Sequence, residues 1–350
     1  MAQMVAALRG GRLRGGLLGG SVGTWALVLI FALGFALLLP RVISAGPSFF
    51  LQIIIYGLAN GAIYALIALG YTMVYGIIEL INFAHGDIFT LGAFISWYLI
   101  PIFGLAEGKA FGLGVVGALI LIMLIVMALL GGINVLIERV AYRPLRNAPR
   151  LAPLITAVGM SFIIEGVMFL IRGPYNIHYP DLLPGNRIPL GPGASIGIKD
   201  IIVLALTVVL VVGLTAFING SKLGKAMRAT AQDRDASQLM GININRTISA
   251  TFFIGAVLAG AGGIIFGLYY NNFNFFLGFS AGLVAFTAAV FGGIGNIQGA
   301  AVGAVIIGMV QAFMDSYFAS EWTQVVIFAI LILVLLFRPT GLLGMQVPEK

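Results

Sequence analysis

Ten apolar runs, each close to the length that crosses a lipid bilayer, restrict the folds open to this chain more than any other feature. A transmembrane helix needs about 20 mainly apolar residues. The runs cover residues 22–39, 49–78, 88–104, 111–137, 151–171, 200–218, 248–270, 280–294, 300–318 and 324–337. The chain is 60% hydrophobic and 9% charged, whereas soluble domains carry about 25% charged residues. We therefore predict an all-α integral membrane protein with about ten transmembrane or partly spanning helices.

The lengths of these runs are uneven. Residues 280–294 and 324–337 are short for a full span. Residues 49–78 would reach about 43 Å as one straight helix, which exceeds the hydrocarbon core of about 30 Å. We predict that this second helix tilts, or breaks near Gly76.

Lysine and arginine predict the orientation, because cytoplasmic loops are enriched in basic residues. With the N-terminus inside and ten spans, fourteen of the 19 basic residues fall on the cytoplasmic side and five on the outer side. The cytoplasmic set is Arg9, Arg12, Arg14, Arg139, Arg143, Arg146, Arg150, Lys222, Lys225, Arg228, Arg234, Arg246, Arg338 and Lys350. The outer set is Arg41, Lys109, Arg172, Arg187 and Lys199. This asymmetry explains the net charge of +7 without a nucleic-acid partner.

The predicted organisation follows from this topology. A cytoplasmic N-terminal tail covers residues 1–21 and a cytoplasmic C-terminal tail covers 339–350. A single transmembrane domain at 22–338 contains a large cytoplasmic loop at 219–247. The first apolar run has two interpretations, a cleaved signal peptide or a retained helix. Its 18 residues exceed the usual apolar region of about 7–15 residues in signal peptides, so we favour a retained helix.

The chain lacks the side chains of several common enzyme sites. It has two histidines, His85 and His178, and no cysteine, so a histidine-rich or thiolate metal site cannot form. The segment Gly220-Ser-Lys-Leu-Gly-Lys-Ala226 is one residue short of a phosphate-binding loop and ends in alanine where Ser or Thr would ligate magnesium. We predict no catalytic residue, no cofactor and no metal site. Any ATP hydrolysis belongs to separate subunits.

The loop at 219–246 is predicted to be largely helical. Ala226, Met227, Ala231, Leu239 and Met240 offer an apolar face, and Gly241 is a stop signal. One interpretation is a solvated connector. The other is a docking segment, because Asp235-Ala-Ser237 followed three residues later by Gly241 resembles the Glu-Ala-Ala-x-x-x-Gly core by which permeases of ABC importers bind their ATPases. The downstream Ile-x-Leu-Pro of that signature is absent.

Four longer stretches carry a more specific resemblance. They are "YGLANGAIYALIALGYTMVYGIIELINFAHGDIFTLGAF", "ERVAYRPLRNAPRLAPLITAVGMSF", "KLGKAMRATAQDRDASQLMGININR" and "AFTAAVFGGIGNIQGAAVGAVIIG". In this order, over residues 50 to 338, the chain resembles the permeases of branched-chain amino-acid ABC importers, in particular the shorter of the two paired permeases. The first 45 or so residues fall outside the resemblance.

The resemblance implies a set of partners and a location. These are a second homologous permease, two cytoplasmic ABC ATPase subunits and an extracytoplasmic amino-acid-binding protein, assembled at the bacterial cytoplasmic membrane with its lipid. It also implies that residues 222–241 dock in an ATPase cleft. The residues expected to couple to the ATPase are Arg228, Asp233, Asp235 and Gly241.

Two glycine-interrupted stretches, "GIIELINFAHGD" at 76–87 and "FGGIGNIQGA" at 291–300, lie in opposite halves of the chain. Such a pair points to broken helices beside a transport route, because free backbone groups at membrane depth need protein or water around them. The predicted pathway residues are Asn82, His85, Asp87, Gly292, Gly293, Gly295 and Asn296. The alternative roles are helix capping for the polar residues and close packing for the glycines.

Two other functions remain open from the sequence. Permeases for urea or short amides are very similar to those for branched-chain amino acids. A proton-coupled secondary transporter would share the hydropathy, and Glu165, in "MSFIIEGVMFLI", could then carry the proton. The alternative role for Glu165 is a hydrogen bond to a neighbouring helix.

Overall fold

The computed structural model describes residues 21–79, 81–105, 114–146, 148–149, 151–183, 185–191 and 193–344. Most of the predicted N-terminal tail and the end of the C-terminal tail lie outside these ranges. So do the basic residues Arg9, Arg12, Arg14, Lys109, Arg150 and Lys350.

Every predicted apolar run contains a helix. The helices are α1 (Ser21–Ala45), α2 (Pro47–Ile78), α3 (Ala84–Ile102), α4 (Gly114–Ile137), α5 (Leu151–Arg172), α6 (Ile198–Gly220), α7 (Lys222–Gln232), α8 (Arg234–Leu239), α9 (Ile244–Tyr270), α10 (Leu277–Gly292), α11 (Ile297–Tyr317) and α12 (Thr323–Phe337). A π-helical turn at Glu138–Tyr142 and a 3-10 turn at Arg143–Leu145 extend α4, and a 3-10 turn at Ser320–Trp322 precedes α12.

Four short strands of the described residues form two antiparallel pairs. Strand β1 (Ile177–His178) pairs antiparallel with β4 (Asn272–Phe273), with Ile177 opposite Phe273. Strand β2 (Arg187–Gly191) pairs antiparallel with β3 (Ala194–Gly197), with a register shift at its turn. The β2–β3 pair lies over the beginning of α2, where Ser195 N–H donates to Gln52 Oε1 at 2.9 Å.

Seven helical segments of the described chain are long and apolar enough to cross a membrane. They are Pro47–Ile78, Gly114–Leu145, Leu151–Arg172, Ile198–Gly220, Ile244–Tyr270, Ile297–Tyr317 and Ser320–Phe337. The shorter apolar helix α10 has 16 residues and reaches about 24 Å, less than the hydrocarbon core of about 30 Å. The prediction of an all-α, multi-pass membrane protein with some partly spanning helices is confirmed.

Helices α2 and α9 form the centre of the molecule. Their most apolar windows are 83% and 78% buried, whereas those of α4, α5 and α6 are 28%, 28% and 22% buried. Glycine allows the central helices to approach closely. A Cβ at Gly61 of α2 would lie 2.7 Å from Val305 Cα of α11, and one at Gly92 of α3 would lie 2.9 Å from Gly260 Cα of α9. Backbone proximity of this kind stabilises helix pairs in lipid, where the hydrophobic effect supplies no drive between helices.

The expected break near Gly76 is displaced. Helix α2 continues through Gly76 as 32 helical residues and ends at Ile78. Glu79 then adopts a left-handed conformation with φ 58°, and its N–H donates to Tyr75 O at 2.7 Å. The interruption therefore covers residues 79–83, which lie within the predicted stretch 76–87 but after Gly76. Gly76 itself is helical and packs against Gly295 instead of forming the turn.

The loop at 219–246, predicted as one helix, is divided into two helices. Asp233 has an extended conformation (φ −154°) between α7 and α8, and its Oδ1 accepts from Ala236 N–H at 3.0 Å. A single apolar face was therefore a wrong prediction. Met227 is buried against the membrane domain, whereas Leu239 and Met240 are 89% and 83% exposed.

The two ends of α2 distinguish the two ends of the molecule. The β2–β3 pair lies at its beginning, and α7 packs near Gly76 and Ile77 at its end. Among the described basic residues, the α7 end carries Arg139, Arg143, Arg146, Lys222, Lys225, Arg228, Arg234, Arg246 and Arg338, and the β2–β3 end carries Arg41, Arg172, Arg187 and Lys199. The basic residues of the two predicted sets are thus separated in space.

Candidate functional site

The first interruption, residues 79–83, is anchored by a buried amide. Asn82 is 1% exposed, and its Oδ1 accepts a hydrogen bond from Tyr142 Oη at 2.8 Å. The Asn82 carbonyl also accepts from His85 N–H at 3.0 Å, which closes the turn into α3. Asn82 therefore ties the interruption to the end of the extended α4 segment.

His85 lies fully buried in the first turn of α3. Its ring packs edge-on against Tyr71, with ring centroids 4.9 Å apart. Its nitrogens lie beside the Ile67 carbonyl without a hydrogen bond of normal geometry. Glycine is required at position 70, because a Cβ there would collide with the imidazole. The imidazole thus fills a packed space between α2 and α9.

Asp87 is also fully buried, and its carboxylate faces α5. Its Oδ2 accepts from Ser161 Oγ. The Glu165 carboxyl, one turn further along α5, contacts the same carboxylate. The expected capping by Asp87 is not made, because α3 begins at Ala84, three residues earlier than Asp87, and has no side-chain cap.

Helices α3 and α10 touch through their backbones beside Asp87. A Cβ at Gly86 would collide with Gly278 O and would lie 2.9 Å from Gly282 Cα. A Cβ at Gly278 would lie 2.5 Å from Asp87 Oδ1. The beginning of the short helix α10 therefore lies against the beginning of α3.

The second interruption, residues 293–296, is built from two left-handed glycines and a cap. Gly293 and Gly295 have φ values of 112° and 89°, which glycine adopts at little cost. Asn296 is the N-cap of α11, and its Oδ1 accepts from Gly299 N–H at 3.1 Å. The capping role weighed for Asn296 is thus present in the structure.

The chain after α12 covers this second interruption. Asn296 Nδ2 donates to Leu343 O at 2.7 Å, and Leu343 N–H donates to Gly292 O at 2.9 Å. Gly293 packs against the Gly344 backbone, and Gly292 packs against the Gly299 backbone. Gly292 and Gly293 therefore lie in close backbone packing, Asn296 is held by side-chain hydrogen bonds, and Gly295 is exposed beside Gly76.

The short-helix segment, residues 222–241, is exposed at its tip and attached at its base. Ser221 caps α7 by accepting from Gly224 N–H at 2.9 Å, and the Arg228 guanidinium donates to Ile218 O at the end of α6. Asp235 is exposed at the start of α8. Gly241 ends the segment with φ 83°, the left-handed conformation that the sequence predicted.

The short-helix segment lies beside both interruptions, because Arg234 lines a cavity with Glu79 and Arg228 lines another with Gly295. Arg234 Nη2 donates to Ile77 O, at the end of α2, at 2.8 Å. A Cβ at Gly76 would lie 3.2 Å from Gly295 Cα, so the end of α2 touches the second interruption. A cavity of about 80 Å³ between them is lined by Thr72, Met73, Gly76, Ile77, Ile218, Met227, Arg228, Ala231, Gly295 and Ile297.

A buried ion pair supports the same end of the molecule. Glu138 is fully buried and pairs with Arg146, and Ser249 Oγ donates to Glu138 Oε2 at 2.6 Å. Burial lowers the pKa of the Arg146 guanidinium, and the adjacent Glu138 carboxylate opposes that shift. Arg146 also donates to Asn245 Oδ1 at 2.7 Å, which joins the end of α4 to the start of α9.

The structure brings together only part of the predicted set. The second interruption and the short-helix segment meet at Gly76, whereas Asp87 lies against the other end of α10 and His85 lies between α2 and α9. The sequence interpretation missed Tyr142, Ser161 and Arg234 as partners of these residues. Each is distant along the chain from the group that it contacts, so no local pattern could identify it. Among the described residues, no cluster of three or more histidine, aspartate and glutamate side chains is placed to hold a metal ion.

Comparison with known proteins gives a consistent result. A family profile described as the branched-chain amino acid transport system permease component matches residues 53–335. The high-affinity branched-chain amino acid transport permease BraD of Pseudomonas aeruginosa is 43% identical over 305 residues, covering 86% of this chain and 98% of that protein.

Two further relatives come from other organisms. The corresponding LivH permease of Escherichia coli K12 is 43% identical over 310 residues, with 86% and 98% of the two chains covered. A probable LivM permease of Methanocaldococcus jannaschii is 26% identical over 141 residues, covering 36% of this chain and 40% of that protein. No solved structure matches the chain.

Proposed function

The chain belongs to the family of branched-chain amino acid transport permeases, and from that premise we propose that it is the membrane-spanning subunit of an ABC importer for branched-chain or related amino acids. The substrate named for BraD and LivH supports this assignment. The protein itself has no catalytic role. ATP binding and hydrolysis belong to two cytoplasmic ABC subunits.

The proposed assembly has three further kinds of component. A second, homologous permease completes the membrane part, and the partial similarity to a LivM permease supports a related partner. An extracytoplasmic binding protein delivers the amino acid. The complex lies in the bacterial cytoplasmic membrane, with the α7–α8 end inside, because that end carries most of the described basic residues.

One observation carries the coupling proposal, namely that the short-helix segment binds the end of α2 and lies beside both helix interruptions. Its tip presents the exposed apolar side chains of Leu239 and Met240. Exposed apolar side chains of this kind favour binding in a cleft on an ATPase. Arg228, Asp233, Asp235 and Gly241 shape and present this tip. Displacement of the tip would be transmitted to the end of α2 by the Arg234–Ile77 hydrogen bond.

The pathway proposal uses the same contacts. When the end of α2 moves, the Gly76–Gly295 contact opens, and the second interruption at Gly292, Gly293, Gly295 and Asn296 separates from the short-helix segment. The first interruption moves with α2, because residues 79–83 follow that helix directly. Asn82 lies within the interruption, and His85 and Asp87 follow it in the first turns of α3. Discrete packed arrangements of this kind allow a small displacement to open or close a route.

The experiment is purification of the complex through a tag on this chain, followed by identification of the co-purifying subunits by mass. ATP hydrolysis in proteoliposomes is then measured with leucine, isoleucine, valine, urea and short amides, each with the loaded binding protein. We expect a second permease, two ATPase copies and stimulation by branched-chain amino acids. Stimulation by urea or short amides alone would assign the chain to that substrate class.

A control addresses the proton-coupled alternative. Uptake driven by a proton gradient without ATP, and abolished by Glu165→Gln, would contradict the importer assignment. ATP-dependent uptake that is insensitive to a proton gradient is the expected result.

A further inference from the structure

A cavity of about 430 Å³ opens at the β2–β3 end of the molecule, opposite the short-helix segment. We call it the charged cavity. It lies between the ends of α2, α6, α9 and α11, and its walls include Tyr56, Arg187, Lys199, Asp200, Tyr270 and Asp315. Its volume falls in the range of sites for small molecules, about 300–1,000 Å³.

Two charged groups of this cavity are held in its wall, Lys199 by an ion pair and Asp200 by a hydrogen bond to each of its carboxylate oxygens. Lys199 Nζ binds Asp181 Oδ1 and Asn271 Oδ1, each at 2.7 Å. Asp200 accepts from Gly197 N–H at 2.7 Å and from Tyr269 Oη at 2.9 Å. These two groups therefore stabilise the wall of the cavity.

Two further charged groups of the cavity, Arg187 and Asp315, have only neutral hydrogen-bond partners among the described residues. Arg187 donates to Ser195 Oγ at 2.8 Å and to Tyr56 Oη at 3.2 Å, both neutral groups. Asp315 Oδ1 accepts from the Thr323 hydroxyl, also a neutral group. A ligand that carries one carboxylate and one ammonium would complement this pair of charges.

An apolar space adjoins the anionic side. A cavity of about 240 Å³ shares Tyr270 with the charged cavity, and we call it the apolar cavity after its walls of Phe266, Leu277, Val284 and Ile327. Polar side chains, among them Ser280, Gln311 and Gln324, form the rest of its lining. Thr323, the hydrogen-bond donor to Asp315, also lines it. Tyr270 is fixed between the two cavities, because its hydroxyl donates to Asn60 Oδ1 at 2.6 Å.

We propose that the two cavities form an acceptor site for a zwitterionic amino acid with an aliphatic side chain. Arg187 binds the α-carboxylate, Asp315 binds the α-ammonium group, and the side chain enters the apolar cavity past Tyr270. This proposal rests on the proposed transport function and adds a site of substrate contact to it. Helix α10 lines the apolar cavity at Leu277 and Val284 and ends at the second interruption, so the site leads toward the proposed route.

The experiment measures ligand binding to the purified complex in nanodiscs without the binding protein, by saturation-transfer NMR. The probes are leucine, 4-methylpentanoate, which lacks the amine, and isopentylamine, which lacks the carboxylate. Wild type should bind leucine at least about tenfold more tightly than either analogue, since a hydrogen bond to a charged group contributes roughly that factor or more.

Two variants assign the charges. Asp315→Asn should weaken leucine binding by about tenfold and leave 4-methylpentanoate binding unchanged, while Arg187→Gln should weaken both by about tenfold. The matched control is Glu321→Gln, which removes an exposed carboxylate from the 3-10 turn between α11 and α12, at the same end but outside both cavities. It should bind all three probes like wild type.

The outcomes separate this proposal from the transport function. Leucine uptake by the wild-type complex without leucine binding to the nanodiscs, or unchanged binding in both cavity variants, would overturn the acceptor site and leave the transport function standing. Absence of uptake of any branched-chain amino acid would overturn both. A loss of leucine binding in Glu321→Gln equal to that in Asp315→Asn would also overturn the assignment, because the effect would then be one of general surface charge.

Discussion

At the scale of single residues, the buried polar groups of the first interruption bind partners on other helices. Asn82 and Tyr142 pair at 2.8 Å, and both are almost completely buried. A buried hydroxyl that loses its partner costs about 1–3 kcal/mol. A structural role of Asn82 can therefore be separated from a transport role. Replacing Asn82 leaves the Tyr142 hydroxyl without a partner, and removing that hydroxyl as well removes most of the stability cost without restoring the amide.

Asn82→Leu should lower the free energy of unfolding by about 1–3 kcal/mol, because it leaves the Tyr142 hydroxyl unpaired. Adding Tyr142→Phe removes that hydroxyl and should recover most of the loss. Thermal unfolding in detergent measures the stability of both variants. If Asn82 contacts the passing substrate, uptake at matched expression stays impaired in the double variant while the affinity of the binding protein is unchanged.

The same comparison applies to Asn296 at the second interruption. Asn296→Leu removes the cap of α11, whereas Asn296→Asp keeps an acceptor for Gly299 N–H. Wild-type uptake in the Asn82→Leu/Tyr142→Phe variant and in Asn296→Asp would restrict both asparagines to structural roles.

At the scale of elements, the short-helix segment depends on how it ends. Gly241 has φ 83° and no neighbouring atoms within 4 Å of a Cβ, so space does not limit a substitution there, but backbone conformation does. The left-handed region costs an ordinary L-residue about 1–2 kcal/mol, and a β-branched residue resists it further. Asparagine tolerates it.

Gly241→Val should therefore displace the tip of α8 and uncouple ATP hydrolysis from transport, while Gly241→Asn should keep both. Substrate-stimulated ATPase activity and uptake are measured in the reconstituted complex. Gly213→Val is the control for adding valine, since Gly213 lies in α6 with an ordinary φ and open space around it. Intact assembly and coupling in Gly241→Val would return the segment to the role of a solvated connector.

The sequence predicted the elements better than their contacts. The apolar runs identified the ten apolar helices of the described residues, because in lipid a helix satisfies its backbone hydrogen bonds within the segment. The left-handed turn at Gly241 followed from local chemistry. Arg234 bound to Ile77 and Ser161 bound to Asp87 could not be predicted, since these partners are far apart in sequence and meet only through helix packing. The division of the 219–246 loop at Asp233 was missed, although aspartate is a favoured N-cap residue and caps α8 in the structure.

At the scale of the whole molecule, the basic residues define a direction across the membrane. The described lysines and arginines are concentrated at the end that carries α7 and α8. The acceptor site lies at the opposite end, beside the β2–β3 pair. A substrate delivered from outside would therefore meet the charged cavity first and the interruptions last, which requires the α7–α8 end to face the cytoplasm.

This orientation can be tested directly, because the chain has no cysteine and single cysteines can be added to an unreactive background. Arg139 and Asn186 are both exposed and lie at opposite ends of the molecule. Arg139 is preferred to Arg146 at the same end of the molecule, because replacing Arg146 would leave the buried Glu138 carboxylate without its ion-pair partner. A membrane-impermeant maleimide should label Asn186→Cys in right-side-out vesicles and Arg139→Cys only in inverted vesicles, with labelling after detergent treatment as the control for reactivity. Labelling of both positions from the same face would contradict the topology, and with it the cytoplasmic location of the short-helix segment and the outer location of the acceptor site.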